Sequence, residues 1–213
     1  MPSLKNTLRE IGIVPVIKIT DADKAVDLAA ALVEGGLPAA EITFRTDAAA
    51  EAIYKMKEAY PEMLIGAGTV LTVRNLDDAI SAGASFIVAP GLNPKIVEAA
   101  MKKNVPVVPG CMTPSEIECA MDLGLDFVKF FPAEAAGGVK MLKAMSAPYG
   151  GISFMPTGGI TLSNAADYLN LKPVVCCGGS FIAEEKAISE GNFGLIRSRA
   201  AETAEFVKSL RNE

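Results

Sequence analysis

Eight short apolar runs along the chain each end in small or polar residues and give way to a helix start, at intervals of roughly 20 to 26 residues. The run ends are Lys18-Ile19-Thr20, Thr43-Phe44-Arg45, Gly66-Ala67-Gly68-Thr69, Ala89-Pro90-Gly91, Val108-Pro109-Gly110, Phe130-Phe131-Pro132, Pro156-Thr157-Gly158-Gly159 and Cys177-Gly178-Gly179-Ser180. Helix starts follow them: Asn93-Pro94 sets a cap residue before a proline, and Thr113-Pro114-Ser115-Glu116 carries a capping box. Thr20-Asp21 and Thr46-Asp47 offer cap chemistry for helices reaching about Glu34 and Tyr60. Strands are expected at Ile11 to Ile19 and Ala39 to Phe44, and a closing helix from about Asn192 to Leu210. This periodicity predicts one α/β domain over residues 1–213, a (β/α)8 TIM barrel with an extra N-terminal helix. An open doubly wound sheet is the competing architecture, because local patterns do not say whether a sheet closes. Either way, chemistry is expected at the carboxyl ends of the strands.

The stretch Asp126 to Ala133 sets one lysine inside an apolar run. Strand side chains alternate between faces, so Phe127, Lys129 and Phe131 share one side and Val128 and Phe130 the other. Burial disfavours the charged form of an amine, and the neutral amine is the form that attacks a ketone to make a Schiff base. A lysine paired with a structural carboxylate is the alternative. The second strand supplies that carboxylate, with Glu41, Thr43 and Arg45 on one side and Ile42 and Phe44 on the other. In a barrel the polar set points inward, where Glu41 can move protons and Arg45 can grip a carboxylate bidentately; a purely structural Glu41–Lys129 pair stays open as an alternative. Thr69 adds a hydroxyl above the third strand.

Gly158-Gly159 and Gly178-Gly179-Ser180 follow the seventh and eighth strands, where such barrels hold phosphate on glycine amides and a hydroxyl. Turn chemistry alone would also account for the glycines. Lys18, at the end of the first strand, could add positive potential for an anion or simply be solvated.

Composition narrows the chemistry. The chain has no histidine, which removes the imidazoles on which most zinc hydrolases, zinc aldolases and Ser-His or Cys-His systems depend. No metal site is expected. Cys111, Cys119, Cys176 and Cys177 show no CxxC spacing and read as buried reduced thiols. A formal net charge of −5 with no Lys/Arg cluster argues against nucleic acid and anionic membrane as partners. The Met1 to Glu10 segment is charged and polar where a signal peptide would carry its apolar core, and the expected location is cytoplasmic.

The motifs Val14-Pro15-Val16-Ile17, Glu41-Ile42-Thr43-Phe44-Arg45-Thr46, Gly66-Ala67-Gly68-Thr69-Val70, Phe127 to Ala133, Pro156-Thr157-Gly158-Gly159-Ile160 and Gly178-Gly179-Ser180 span nearly the whole chain. In this order the sequence resembles the 2-keto-3-deoxy-6-phosphogluconate (KDPG) aldolase family, which includes 4-hydroxy-2-oxoglutarate (KHG) aldolases. The resemblance implies a class I aldolase without cofactor, acting on a 2-keto acid such as pyruvate or a phosphorylated sugar acid, and forming a homotrimer. It implies Lys129 as Schiff-base lysine, Glu41 as general acid/base, Arg45 and Thr69 at the pyruvate carboxylate, and Phe131 beside the imine. Gly158, Gly159, Gly179 and Ser180 match the phosphate site, and Phe181 stands where some relatives carry tryptophan. The competing readings are an aldolase for 4-hydroxy-2-oxoglutarate or for the galactonate epimer, a phosphate-binding isomerase or epimerase, and a non-enzymatic binding or assembly barrel.

Overall fold

The computed structural model describes residues 3–211, so the ends of the expected 1–213 domain, Met1, Pro2, Asn212 and Glu213, lie outside it. Strands and helices alternate along the chain. Helix α1 (Leu4–Ile11) precedes β1 (Ile13–Ile17), and a 3-10 turn (Ala22–Lys24) leads into α2 (Ala25–Glu34). There follow β2 (Ala39–Thr43), α3 (Ala49–Ala59), β3 (Leu64–Gly68), α4 (Val73–Ser81), β4 (Phe86–Val88) and α5 (Pro94–Lys102). Then come β5 (Val107–Val108), α6 (Pro114–Asp122), β6 (Phe127–Phe130), α7 (Gly138–Ser146), β7 (Ser153–Pro156) and α8 (Leu162–Leu169). The chain ends with β8 (Cys177–Gly179), α9 (Glu185–Ser189) and α10 (Phe193–Arg211).

All strand pairings are parallel, as βα connections require. Six strands form a ladder in the order β5-β4-β3-β2-β1-β8, and β6 pairs with β7. Single bridges join the two ladders on both sides, Gly110 to Lys129 and Thr157 to Gly178. The result is an α/β fold around a curled parallel sheet.

Alternation along the strands sorts the apolar residues into two cores. Ile13, Ile17, Ile42, Val128 and Phe130 face the helices. Val14, Phe86, Val88, Val108, Phe127 and Met155 fill the concave interior, where Leu8 of α1 joins them. The amphipathic α1 therefore covers the amino-terminal end of the strands with its one buried side chain.

Several boundaries differ from the sequence expectation, each for a local reason. The first strand begins at Ile13 because Ile11 closes α1 and Gly12, at φ 73°, donates its N–H to the Leu8 carbonyl. Strand β2 stops at Thr43. Thr46 does not cap α3; its hydroxyl donates to the Ile19 carbonyl and ties the end of β2 to β1, and α3 starts at Ala49 without a side-chain cap. Asp21 caps the 3-10 turn rather than α2 itself. Asn93 and Thr113 cap α5 and α6, the latter in a full capping box with Glu116. Cys111, Cys176 and Cys177 are buried thiols, whereas Cys119 is only half-buried.

Candidate active site

Lys129 lies near the carboxyl end of β6 with its side chain in the concave interior, because Phe127 and Phe131 share its face and Val128 and Phe130 take the helix side. It is 5 % exposed. Glu41 reaches the same space from β2 and is fully buried. The Lys129 Nζ donates to Glu41 Oε1 at 3.2 Å. The other carboxylate oxygen, Glu41 Oε2, is buried with no hydrogen-bond partner among the described residues. Buried polar atoms almost always find partners, so an open lone pair beside a buried amine marks a place for a reacting proton or a water.

The pair exists because a neighbouring strand makes room for it. On β3, Gly68 lies so close to Glu41 that a Cβ at this position would stand 2.2 Å from Oε1. Register brings this about: Glu41 sits opposite Val16 on one side and Gly66 on the other, and Thr43 opposite Gly68. The Thr43 hydroxyl donates to the Ile17 carbonyl at 2.9 Å, a structural bond that binds β2 to β1. Phe131 covers the amine, with its ring centroid 5.3 Å from Nζ, within cation–π range.

Above this pair opens a cavity of about 300 Å³. Arg45, Phe131, Gly158, Gly159 and Ser180 line it, whereas the buried Lys129 and Glu41 are not among its lining residues. Among the described residues no carboxylate pairs with Arg45, whose exposed guanidinium is open to an incoming anion. Thr69 and Gly179 do not line the cavity. Thr69 follows β3 at φ 55°, a sparsely populated conformation for a β-branched residue, and is half-buried. Gly179 packs under the Phe181 ring. Clefts of about 550 and 520 Å³ lie elsewhere, along α1 and α10 at the opposite ends of the strands, away from the amine.

The Gly158-Gly159 turn is held from below. Both glycines have positive φ, and a Cβ on Gly159 would stand 2.7 Å from the Glu134 side chain. Glu134 donates its N–H to the Gly158 carbonyl at 3.1 Å, and its carboxylate accepts from the buried Tyr168 hydroxyl. Burial pushes the Tyr168 phenol well above its ordinary range, and the Glu134 carboxylate adds to this.

Two features escaped the sequence reading. Thr157 lines the cavity, is 5 % exposed, and its hydroxyl has no partner among the described residues. Its signal was present in the alternation that puts Met155 and Thr157 on the interior face. The other is the partner of Lys18: the lysine lines the cavity, as one reading of its strand-end position expected, but its bond to Glu185 at 2.9 and 3.0 Å joins residues that no local pattern connects.

Residues 4–198 match a family described as "Aldolase: KDPG and KHG aldolase". The chain is 49 % identical over 201 residues to a 2-dehydro-3-deoxy-phosphogluconate aldolase from Haemophilus influenzae, covering 94 % of this chain and 95 % of that one. A crystal structure of a KDPG aldolase from Legionella pneumophila, with pyruvate captured at low pH as a covalent carbinolamine intermediate, is similar at a TM-score of 0.90 and 38 % identity. It covers 94 % of this chain and 98 % of that one. A 2-keto-3-deoxy-6-phosphogluconate aldolase from Zymomonas mobilis with 3-phosphoglycerate reaches a TM-score of 0.87 at 38 % identity, covering 95 % and 96 %.

Proposed function

This chain belongs to the KDPG and KHG aldolase family, and on that premise we propose that it is a class I aldolase working through an imine on Lys129. It cleaves 2-keto-3-deoxy-6-phosphogluconate to pyruvate and glyceraldehyde 3-phosphate. The observation that carries the assignment of residues is the buried 3.2 Å contact between Lys129 Nζ and Glu41 Oε1, with Glu41 Oε2 unpartnered.

The reaction follows from that arrangement. Lys129 passes a proton to Glu41 and its free amine attacks the C2 ketone; Glu41 returns the proton to the departing hydroxyl, and the carbinolamine loses water to leave an iminium. The iminium is an electron sink. Glu41, directly or through a water, takes the proton of the C4 hydroxyl, the C3–C4 bond breaks, and its electrons flow into an enamine as the aldehyde leaves. Protonation at C3 and hydrolysis of the imine release pyruvate and restore the amine. Arg45 and Thr69 hold the keto-acid carboxylate so that the carbonyl meets Nζ in line, and Phe131 flanks the imine. Ser180 and the amides of Gly158 and Gly159, all on the cavity wall, receive the phosphate, giving binding energy remote from the reacting bond.

We read the two ladders, bridged on both sides, as one (β/α)8 barrel in a single domain over 1–213, with α1 across its lower end. Exposed Leu71, Val73 and Met112 support self-association, read here as a homotrimer, and free thiols suit a cytoplasmic setting.

Intact-mass spectrometry after incubation with pyruvate and borohydride tests this reading, with Lys129→Ala alongside. The parent gains one reduced pyruvyl group and the variant gains none. A parent protein that stays unmodified overturns the imine mechanism.

A further inference from the structure

Lys18 is one of two basic side chains that line the cavity, and the mechanism above gives it no task. Alternation along the end of β1 places it there: Ile17 and Ile19 are fully buried and belong to the helix-side core, although Ile17 also touches the cavity, while Val16 and Lys18 are partly exposed and line it. Register fixes its position on the cavity wall between the strand that carries Arg45 and the strand that leads to Ser180. Val16 pairs with Glu41 and Ile17 with Ile42, so Lys18 follows beside Thr43, two residues short of Arg45. On the other side Pro15 pairs with Gly179, next to Ser180.

Its ammonium is held by both oxygens of Glu185, at 2.9 and 3.0 Å. The side chains are 38 % and 45 % exposed, and a pair so open to water contributes little to stability, so it exchanges readily. Glu184 also lines the cavity, but Arg199 holds its carboxylate at 2.7 Å. Glu185 is therefore the carboxylate that Lys18 alone neutralises at the end of the cavity where Ser180 stands.

Resting on the aldolase reading, we propose that Lys18 is a specificity-determining residue that exchanges Glu185 for the substrate's terminal phosphate. A phosphate offers more negative charge and three acceptor oxygens in place of one carboxylate, so the exchange favours a phosphorylated substrate over its unphosphorylated analogue. Without Lys18, the bare Glu185 carboxylate would also repel the dianion.

The test is the ratio of kcat/KM for 2-keto-3-deoxy-6-phosphogluconate to that for 2-keto-3-deoxygluconate, in the parent and three variants. Lys18→Met lowers the ratio roughly tenfold. Glu185→Gln, which removes the competitor, leaves the ratio equal to the parent's or raises it. The double variant recovers part of the loss, since it no longer presents a bare carboxylate. A ratio within twofold of the parent in Lys18→Met overturns the proposal, as does a fall in Glu185→Gln, which would make the ion pair a structural clamp. Pyruvate trapping on the parent separates the failures: no adduct removes the aldolase reading, whereas an adduct with an unmoved ratio removes only the role of Lys18.

Discussion

Phe127 and Lys129 stand two residues apart on one face of one strand, and the interior of the curled sheet changes character between them. On the Phe127 side, Leu8, Val14, Phe86 and Met155 close into an apolar plug. On the Lys129 side the same interior holds a charged pair, an unpartnered carboxylate oxygen and an unpartnered hydroxyl. Folding energetics favour the first arrangement throughout, since a buried ion pair is often no better than well-packed apolar residues. The upper layer is thus a local departure from optimal packing, supported by the layer beneath it, and its polar groups are arranged toward a ligand rather than toward one another.

Removing the amine breaks the comparison most sharply. Lys129→Met loses roughly 10⁴-fold or more in kcat, since the nucleophile is gone. It also strands Glu41 as a buried lone charge, costing about 3–5 kcal/mol in stability. The double variant Lys129→Met/Glu41→Leu remains inactive but regains that stability, ending level with the parent or about 1–4 kcal/mol above it. Chemical denaturation of the three proteins checks this. A double variant no more stable than Lys129→Met would mean that the pair holds the sheet together and that the two layers do the same job.

Phe86→Ala attacks the lower layer instead. The ring is fully buried and lies against Gly66, where a Cβ would come within 2.3 Å of it, so nothing nearby can fill the space. The expected loss is about 3–5 kcal/mol. Pyruvate trapping per folded molecule should persist well below the lowered melting temperature; a parallel loss of trapping in protein that circular dichroism reports as folded would show the layers to be coupled.

How legible these layers are in the sequence depends on the range of the signal. Alternation is local, so the faces of Lys129, Glu41 and Phe127 can be read from short stretches, as can the caps at Asn93 and Thr113. The packing partners come from strand register and remain hidden: the small residues that end the third strand are legible, but that the missing side chain of Gly68 leaves room for Glu41 is not. Thr46 reads as a cap because its residue type allows one, but tertiary contact with the Ile19 carbonyl claims its hydroxyl. The Lys18–Glu185 pair closes over 167 residues and has no local trace.

The thiols extend the comparison to alkaline pH. Burial pushes Cys111 and Cys177 up to about 12 from an ordinary 9.0, and Cys176 also upward. A folded-state value raised above the unfolded one gives stability that is present below about pH 9 and lost as pH rises toward 12, because the unfolded chain ionises first. Urea midpoints should fall across that window. Below it, a thiol reagent should modify half-buried Cys119 first; rapid native-state reaction of Cys176 would mean that the lower layer opens.

The smallest effect expected is the most specific to the upper layer. Thr157 is 5 % exposed, and its hydroxyl meets no partner while the residue lines the cavity. A buried donor left unpaired contributes nothing to the unliganded fold, and exchanging it for a methyl of similar shape removes the desolvation cost. Thr157→Val should therefore leave stability unchanged or raise it by about 1 kcal/mol, while kcat/KM for the phosphorylated keto acid falls several-fold. The two readouts must move apart. If Thr157→Val loses stability and activity together, the hydroxyl is part of the scaffold, and the boundary between packed and reactive layers lies above Thr157 rather than below it.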